Sequence, residues 1–320
     1  MVSPPALLPS AWRPAAEAHQ RRVLSLVGGS IVHDPAHPIF NFLFEYYSFD
    51  RNLLLRWSPG PGVTLEGAAR KEPILWQGFG WHERRLHDKL VGCVDPSAAK
   101  RSMRAPLRRM CRVLRSTEAR PPHLNCYGLH EWAMLYKPSG APAPVRHQSL
   151  ALRLPQAPAR PFLQDEINAV VESVPIACTH FDAFRFFAAA AVPLNTVEPT
   201  PTRETQPLLE QPGCVHATMD LFRYSLKLWP FLPAELLADT LELAVCARVL
   251  DMRASPYDLS AWDGKGFDLT PIRIETAAGR KQYQRQQASL VHRSTPLRRR
   301  LIEYFEHAES CWGNEDASAS

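Results

Sequence analysis

Residues 233–252 read PAELLADTLELAVCARVLDM and form the clearest helix pattern in the chain. Pro233 stands in the first turn, where a helix tolerates proline, and Ser255-Pro256 ends the pattern. Alanine, leucine and glutamate, all good helix formers, dominate between them. Because the apolar residues occur on nearly every side of this helix, we expect other parts of the chain to surround it.

Helical patterns continue on both sides of this stretch. They predict helices over 14–27, over the aromatic and leucine-rich stretch 38–57, over 279–291 and over 294–307. The best strand candidate is TPIRIET at 270–276, which alternates in character and contains β-branched residues. The sequence therefore predicts a mainly α fold, with a single large helical domain over residues 12–310 and a minor strand element.

A proline-rich segment, residues 137–161, divides the chain near its middle. It contains six prolines, so regular helix cannot persist through it. We interpret it as a loop that crosses one domain, and a linker between two domains is the alternative. Residues 313–320 are expected to be a disordered tail.

Composition limits the class of protein. With 320 residues, 45% of them hydrophobic, the chain can bury a large core. It has no run of eighteen apolar residues, and prolines interrupt residues 1–14, so we expect a soluble intracellular protein without a membrane partner. Seven cysteines without CxxC pairs argue against a disulfide framework and against an ordinary zinc finger.

Charge gives only a local indication of a nucleic-acid partner. The formal net charge of +5 is modest for this length. Five arginines recur at steps of three and four residues, on one face of a predicted helix: Arg101, Arg104, Arg108, Arg112 and Arg115. This face fits an ordinary solvated surface or a surface that follows nucleic-acid phosphates.

Three short segments each combine a thiol, an imidazole and a carboxylate. They are CYGLHE at 126–131, CTHFD at 178–182, and CVH at 214–216 followed by Asp220. These side chains can carry protons, act as nucleophiles or bind metal, so we expect the segments to share one polar site. The candidate acids and bases are His130, Glu131, His180, Asp182, His216 and Asp220.

Each segment also has a structural interpretation. His130 and Glu131 fit a buried hydrogen-bonding residue and a carboxylate favoured at a helix start. Asp182 and Arg185, three residues apart, fit a structural brace. His216, Asp220 and Tyr224 follow at four-residue steps, which also fits a solvent-facing stripe.

No metal ligand is assigned from the sequence, and no cofactor is expected. Imidazole and carboxylate suit metal ions, and His130, His180, His216 and Glu131 could build a site in a helical core. The spacing lacks HExxH and the paired ExxH of carboxylate-bridged bundles, so a metal is kept only as an alternative. The phosphate-binding patterns GxxxxGK[ST] and GxGxxG are missing as well.

Several motifs together resemble one family. Segments 128–136, 178–187, 210–224 and 250–259, continuing through 272–279, resemble proteins commonly named 3-methyladenine DNA glycosylase. The resemblance runs from about Trp12 to the last predicted helix. The chain lacks the helix-hairpin-helix, with its Leu-Pro-Gly-Val-Gly-type turn and following aspartate, so no catalytic residue is transferred. The resemblance implies hydrolytic release of alkylated purines such as 3-methyladenine, with DNA as the partner.

Such a reaction needs an extruded nucleotide, aromatic side chains to stack on its base, and a carboxylate near the sugar. Asp182 and Asp220 are the candidate carboxylates. The candidate substrate-binding residues are Trp132, Phe181, Arg185, Tyr224, Arg253 and Tyr257. The alternatives are a helical enzyme that acts on a small molecule, with or without metal, in a pocket lined by these clusters, and a non-enzymatic scaffold with a buried hydrogen-bond network.

Overall fold

The computed structural model describes residues 6–68, 72–86, 89–141, 150–153 and 163–312, and there the fold is mainly helical, as predicted. The α-helices in this part of the chain are α1 (Pro9–Leu26), α2 (Arg101–Glu118), α3 (Leu129–Ala133), α4 (Leu163–Ser173), α5 (Phe181–Phe184), α6 (Gln206–Leu209), α7 (Val215–Leu228), α8 (Ala234–Ala254) and α9 (Ala277–Ser310). None of them combines the length and the apolar character needed to cross a bilayer.

Helix α8 lies at the centre of the fold, which confirms the expectation from its all-round apolar pattern. Fifteen of its 21 residues are buried, and it packs against α1, α7 and α9. Its neighbour α7 is buried over most of its length. Both helices nevertheless carry buried polar side chains, His216 and Asp220 on α7 and Arg248 and Asp251 on α8. These side chains require partners inside the core.

The minor strand element is a small sheet, but it lies elsewhere than predicted. Its strands are β1 (Thr64–Glu66), β2 (Trp81–Leu86) and β3 (Lys89–Val94), antiparallel and in the order β1-β3-β2. The strand predicted at 270–276 is wrong. That segment pairs with no strand in the described residues, and its alternation reflects two isoleucines, Ile272 and Ile274, that point into the core.

Two helix predictions needed correction. A continuous helix over 38–57 is wrong, because a π-helical turn (Asn41–Tyr46) and a 3-10 turn (Arg51–Leu55) replace it. Ser48 between them has a φ of 43°, which ends the first turn. The two helices predicted at 279–291 and 294–307 form one helix, α9. The Thr295 hydroxyl donates to the Val291 carbonyl within this helix and does not cap a new one.

Most of the proline-rich segment 137–161 and all of the tail 313–320 lie outside the described residues. Residues 150–153 are described, and they lie along the chain that follows α8. Leu152 forms a β-bridge with Tyr257, and the Arg153 amide donates to the Pro256 carbonyl over 2.8 Å. The single domain over residues 12–310 stays a prediction. All seven cysteines are free thiols, in line with the expectation of no disulfide framework.

Candidate metal centre and its cavity

The three imidazole-bearing segments meet in the core. The ring of His130 on α3 lies 4.6 Å from that of His216 on α7, centroid to centroid, in an edge-to-face arrangement. The ring of His180, which precedes α5, stacks on His216 at 5.3 Å. All three imidazoles are buried. The predicted convergence of these segments is therefore present in the structure.

Two glycines let the chain bring these helices together. Gly128, directly before α3, has a φ of 73°, a conformation that other residues rarely adopt. Gly213, just before α7, lies so close to the chain at His123 that a Cβ atom would be 2.3 Å from the carbonyl oxygen. Larger residues at either position would shift the start of a helix that carries a site histidine.

His130, His216 and Asp251 form a group that we call the first trio. The His130 Nε2 and Asp251 Oδ1 atoms are 2.8 Å apart, and the ligand atoms of all three residues lie within 4.8 Å of one another. Within the described residues, neither of these two atoms has a hydrogen-bond partner of ordinary geometry, and neither does His216 Nδ1.

His180, Glu210 and Asp220 form the second trio. His180 Nε2 lies 3.4 Å from Glu210 Oε2 and 3.5 Å from Asp220 Oδ2. Both ring nitrogens of His180, and Asp220 Oδ2, lack a hydrogen-bond partner in the part of the chain that the structure describes. The side chains of this trio are almost fully buried.

Three histidine–carboxylate separations in the trios can be compared with the spacing of ligands around one ion. Two ligand atoms at about 2.1 Å from an ion are about 3 Å apart when they subtend a right angle, and about 3.4 Å apart in a tetrahedron. The separations of 3.4 and 3.5 Å in the second trio lie near the tetrahedral value, whereas the 2.8 Å between His130 Nε2 and Asp251 Oδ1 is the distance of a hydrogen-bonded ion pair. His216 Nδ1 and Asp220 Oδ2 have no hydrogen-bond partner in the described residues, and these are the types of atom that bind a cation.

Arg248 on α8 holds the carboxylates beside the first trio. Its Nη1 donates to Glu131 Oε1 over 2.9 Å and to Asp251 Oδ2 over 2.6 Å, and its Nε donates to the Pro38 carbonyl. Glu131 Oε2 is buried and has no hydrogen-bond partner in the described residues. Arg248 thus orients Asp251, and it leaves one Glu131 oxygen available for a proton or a ligand.

A second set of contacts holds the carboxylate of Asp220. The Tyr47 hydroxyl donates to Asp220 Oδ1 over 2.9 Å, and Arg223 Nη1 lies 3.5 Å from Asp220 Oδ2. The same Arg223 atom donates to Asp182 Oδ2 over 2.6 Å. Arg223 therefore links Asp182 to the second trio, and all six predicted acids and bases belong to one connected polar region.

The protonation of these groups follows from burial and charge. Burial favours a low pKa for His130, but the adjacent Asp251 carboxylate outweighs it and raises the pKa well above the ordinary value. Burial, together with His130, holds the pKa of His216 well below its ordinary value. Burial favours a high pKa for Asp220, but His180 and Arg223 lower it to about 2. Burial favours a low pKa for His180, but Asp220 and Glu210 raise it, and burial raises the pKa of Glu210. The raised pKa values favour protonated His130 and His180 in the absence of a metal, so an ion at either trio would displace these protons.

A cavity of about 390 Å³, which we call the inner cavity, adjoins the first trio. His216, Glu131 and Arg248 reach its wall from the polar side. The other lining residues are four aromatic or apolar side chains, Phe42, Tyr46, Met134 and Phe186, and three polar ones, Asn41, Glu45 and Asp182. Its size is that of a small-molecule site, and polar and apolar side chains share its lining.

The structure separates the six predicted substrate-binding residues. Phe181 and Arg185 line a second cleft beside the inner cavity. Trp132, Tyr224 and Tyr257 lie in the core, where no ligand can stack on them unless the core opens. Arg253 lies elsewhere, with its Nη2 atom 3.3 Å from Asp268 Oδ2.

The arginine face of α2 packs in part against the C-terminal end of α9. Arg108 Nε lies 3.0 Å from Glu309 Oε1, and Arg115 pairs with Glu306. Arg104 donates to the Trp312 carbonyl over 3.1 Å. Arg101 and Arg112 are exposed. Protein groups contact the guanidinium groups of Arg104, Arg108 and Arg115, and the phosphate-binding role of this face stays a prediction.

Five residues of the region were not predicted: Tyr47, Glu210, Arg223, Arg248 and Asp251. For the last two a signal existed, because the most apolar helix pattern of the chain contains an arginine and an aspartate three residues apart. A helix that is apolar on every side has to bury such a pair, and burial of charge marks a brace or a site. Tyr47 and Glu210 carry no such signal in the sequence.

Comparisons with known proteins gave no match, either to a family model, to a curated protein sequence or to a solved structure.

Proposed function

We propose that this protein is a metal-dependent enzyme that acts on a small molecule held in the inner cavity. The first and second trios are proposed to bind one metal ion each. One observation carries the proposal. Two groups of buried imidazole and carboxylate side chains contact each other through His180 and His216. In each group the possible ligand atoms lie within 4.8 Å of one another, and some of them have no hydrogen-bond partner in the described residues. His216 of the first trio also lines the inner cavity.

The ligand types favour Zn²⁺, Fe²⁺ or Mn²⁺. Two imidazoles and one carboxylate, as in the first trio, form a set that leaves coordination positions open for water or substrate. One imidazole and two carboxylates, as in the second trio, suit the same ions. Neither trio contains a thiolate, although Cys126 Sγ lies 3.6 Å from His130 Nδ1 and helps to orient that ring.

The buried carboxylates of the region require compensating positive charge. Four carboxylates are almost fully buried here: Glu131, Glu210, Asp220 and Asp251. The guanidinium groups that contact them belong to Arg248 and Arg223. Without a metal, the imidazoles of His130 and His180, whose pKa values are raised, supply the rest of the positive charge. A divalent ion in each trio would replace these two protons.

The chemistry suited to this arrangement is activation of a water molecule. A metal ion lowers the pKa of bound water toward neutrality and polarises substrate oxygen atoms. Glu131, which lines the inner cavity and has an Oε2 atom without a hydrogen-bond partner in the described residues, is proposed to accept or donate a proton. Asp182, which also lines this cavity, is a second candidate, held by Arg223 and Arg185.

DNA base excision, which the family resemblance implies, is the second candidate. The observation that favours it is the aromatic lining of the inner cavity, since Phe42, Tyr46 and Phe186 offer ring surfaces to an extruded base. A carboxylate near the sugar would then come from Asp182 or Glu131. This candidate differs from the first in requiring duplex DNA as the substrate.

Elemental analysis of the protein as purified, without chelators, tests the proposal. We expect about one to two equivalents of a transition metal per chain, as three-ligand sites of this type retain. His216→Ala should lose at least half of it. His19→Ala is the matched control, since it removes another buried imidazole, which contacts the Leu54 carbonyl and belongs to neither trio.

The proposal is contradicted if the wild-type protein contains no metal after expression in metal-supplemented medium and after refolding in a metal-containing buffer. Incubation of the same samples with alkylated duplex DNA separates the two candidates. Release of free 3-methyladenine that continues in metal-free protein would favour base excision.

A further inference from the structure

A cationic cleft opens beside the inner cavity. It has a volume of about 500 Å³ and shares two wall residues, Tyr46 and Asp182, with the inner cavity. We call it the outer cleft. Arg185, Arg203, Arg223 and Lys227 line it, and the only carboxylate among its described lining residues is Asp182. The outer cleft therefore has three more cations than carboxylates.

Two of these cations are held in fixed positions. Asp182 accepts from Arg223 Nη1 over 2.6 Å, and its other oxygen lies 3.4 Å from Arg185 Nε. Arg185 also donates to the Tyr46 hydroxyl over 2.8 Å, and its guanidinium lies 4.5 Å from the centroid of the Phe186 ring. Because one carboxylate positions both guanidinium groups, the remaining donors are pre-organised for an oxyanion.

The other two cations lack such anchors. The side chains of Arg203 and Lys227 are exposed at the cleft, and neither forms a salt bridge with an acidic side chain in the described ranges. Uncompensated cations in a concave surface attract anionic ligands. Tyr46 and Asp182 line both the outer cleft and the inner cavity, so an anion bound in the cleft would lie next to the inner cavity.

We infer that the substrate carries an oxyanion, a phosphate or a carboxylate, which the outer cleft binds while an apolar or aromatic part enters the inner cavity. This inference rests on the proposed function for the identity of the site as an active site. The lining of the inner cavity by Phe42, Tyr46, Met134 and Phe186 matches an aromatic or apolar body. Both kinds of oxyanion fit the same donors, so the test includes each of them.

The test is calorimetric titration of metal-loaded protein with phenyl phosphate, benzoate and phenol. At least one of the two anions should bind about tenfold or more tightly than phenol, as expected for charge-assisted contacts to an oxyanion. The double variant Arg203→Gln/Lys227→Gln should weaken anion binding about tenfold and leave phenol binding unchanged. Lys281→Gln, which removes an exposed lysine on α9, is the matched control.

Equal binding of the anions and phenol, or full anion affinity in the double variant, would overturn the inference. If a short DNA duplex binds more tightly than either small anion, and the double variant loses this binding, the inference is overturned in favour of a nucleic-acid ligand. Metal content is measured on every sample. If the wild-type protein contains no metal but binds the anions more tightly than phenol, anion binding by the outer cleft is supported and the proposed function is contradicted. If the protein contains metal but binds the anions no more tightly than phenol, only the inference is contradicted.

Discussion

Replacement of Arg248 by Met is expected to lower the free energy of unfolding by about 3–5 kcal/mol, the cost of breaking a buried ion pair by removing one partner. Arg248 is almost fully buried and pairs with two buried carboxylates, Glu131 and Asp251. Met carries no charge, so Arg248→Met would leave Glu131 without its cation and Asp251 with His130 alone. Urea denaturation, followed by far-UV circular dichroism, measures the change.

The control for Arg248→Met is Arg293→Gln, which removes a half-exposed arginine 3.0 Å from Glu242. An exposed pair of this kind contributes about 1 kcal/mol or less. Adding Glu131→Gln to Arg248→Met should restore part of the loss, because it removes one of the unpaired charges. If the Arg248→Met and Arg293→Gln proteins have the same free energy of unfolding, the buried carboxylates do not depend on Arg248 for their charge.

Asp251→Asn is expected to abolish most of the metal-dependent stabilisation at the first trio. An ion present at one hundred times its Kd adds about 2.7 kcal/mol to the free energy of unfolding. Loss of a carboxylate ligand should weaken binding by about one hundredfold or more, so that the same ion concentration adds only about 0.4 kcal/mol. Unfolding with and without added Zn²⁺ or Mn²⁺ measures the difference.

Asp239→Asn is the matched control for Asp251→Asn, since it is the same substitution on the same helix. Asp239 is partly exposed and pairs with Arg22 at 2.8 Å and Arg300 at 3.2 Å. It should therefore keep the full metal-dependent gain in stability. If added metal stabilises Asp251→Asn as much as Asp239→Asn, the first trio does not bind the ion.

The sequence predicted the fold best where the pattern came from burial. The all-round apolar character of residues 233–252 predicted the central helix, because packing on every side requires it. The strand prediction at 270–276 failed for a related reason. Alternate burial of Ile272 and Ile274 produces the same period of two in a segment that pairs with no other strand in the described ranges.

The candidate site was predicted in part. The three segments were expected to meet, because each carries the same unusual combination of side chains, and their histidines do lie together. Glu210 and Asp251 were not assigned, since no spacing rule connects them to histidines far away in the chain. Only the packing of α3, α7 and α8, and of the chain around α6, brings these ligands to one place. Aromatic residues chosen for stacking, such as Trp132, proved to be core residues.

Anomalous X-ray scattering from crystals of metal-loaded protein tests the central claim most directly. The account predicts a peak within about 2.0–2.3 Å of the ligand atoms of His130, His216 and Asp251, and a second peak among His180, Glu210 and Asp220. The account is contradicted if crystals grown with the metal show no anomalous density at either trio and ordered water molecules bridge the same nitrogen and oxygen atoms.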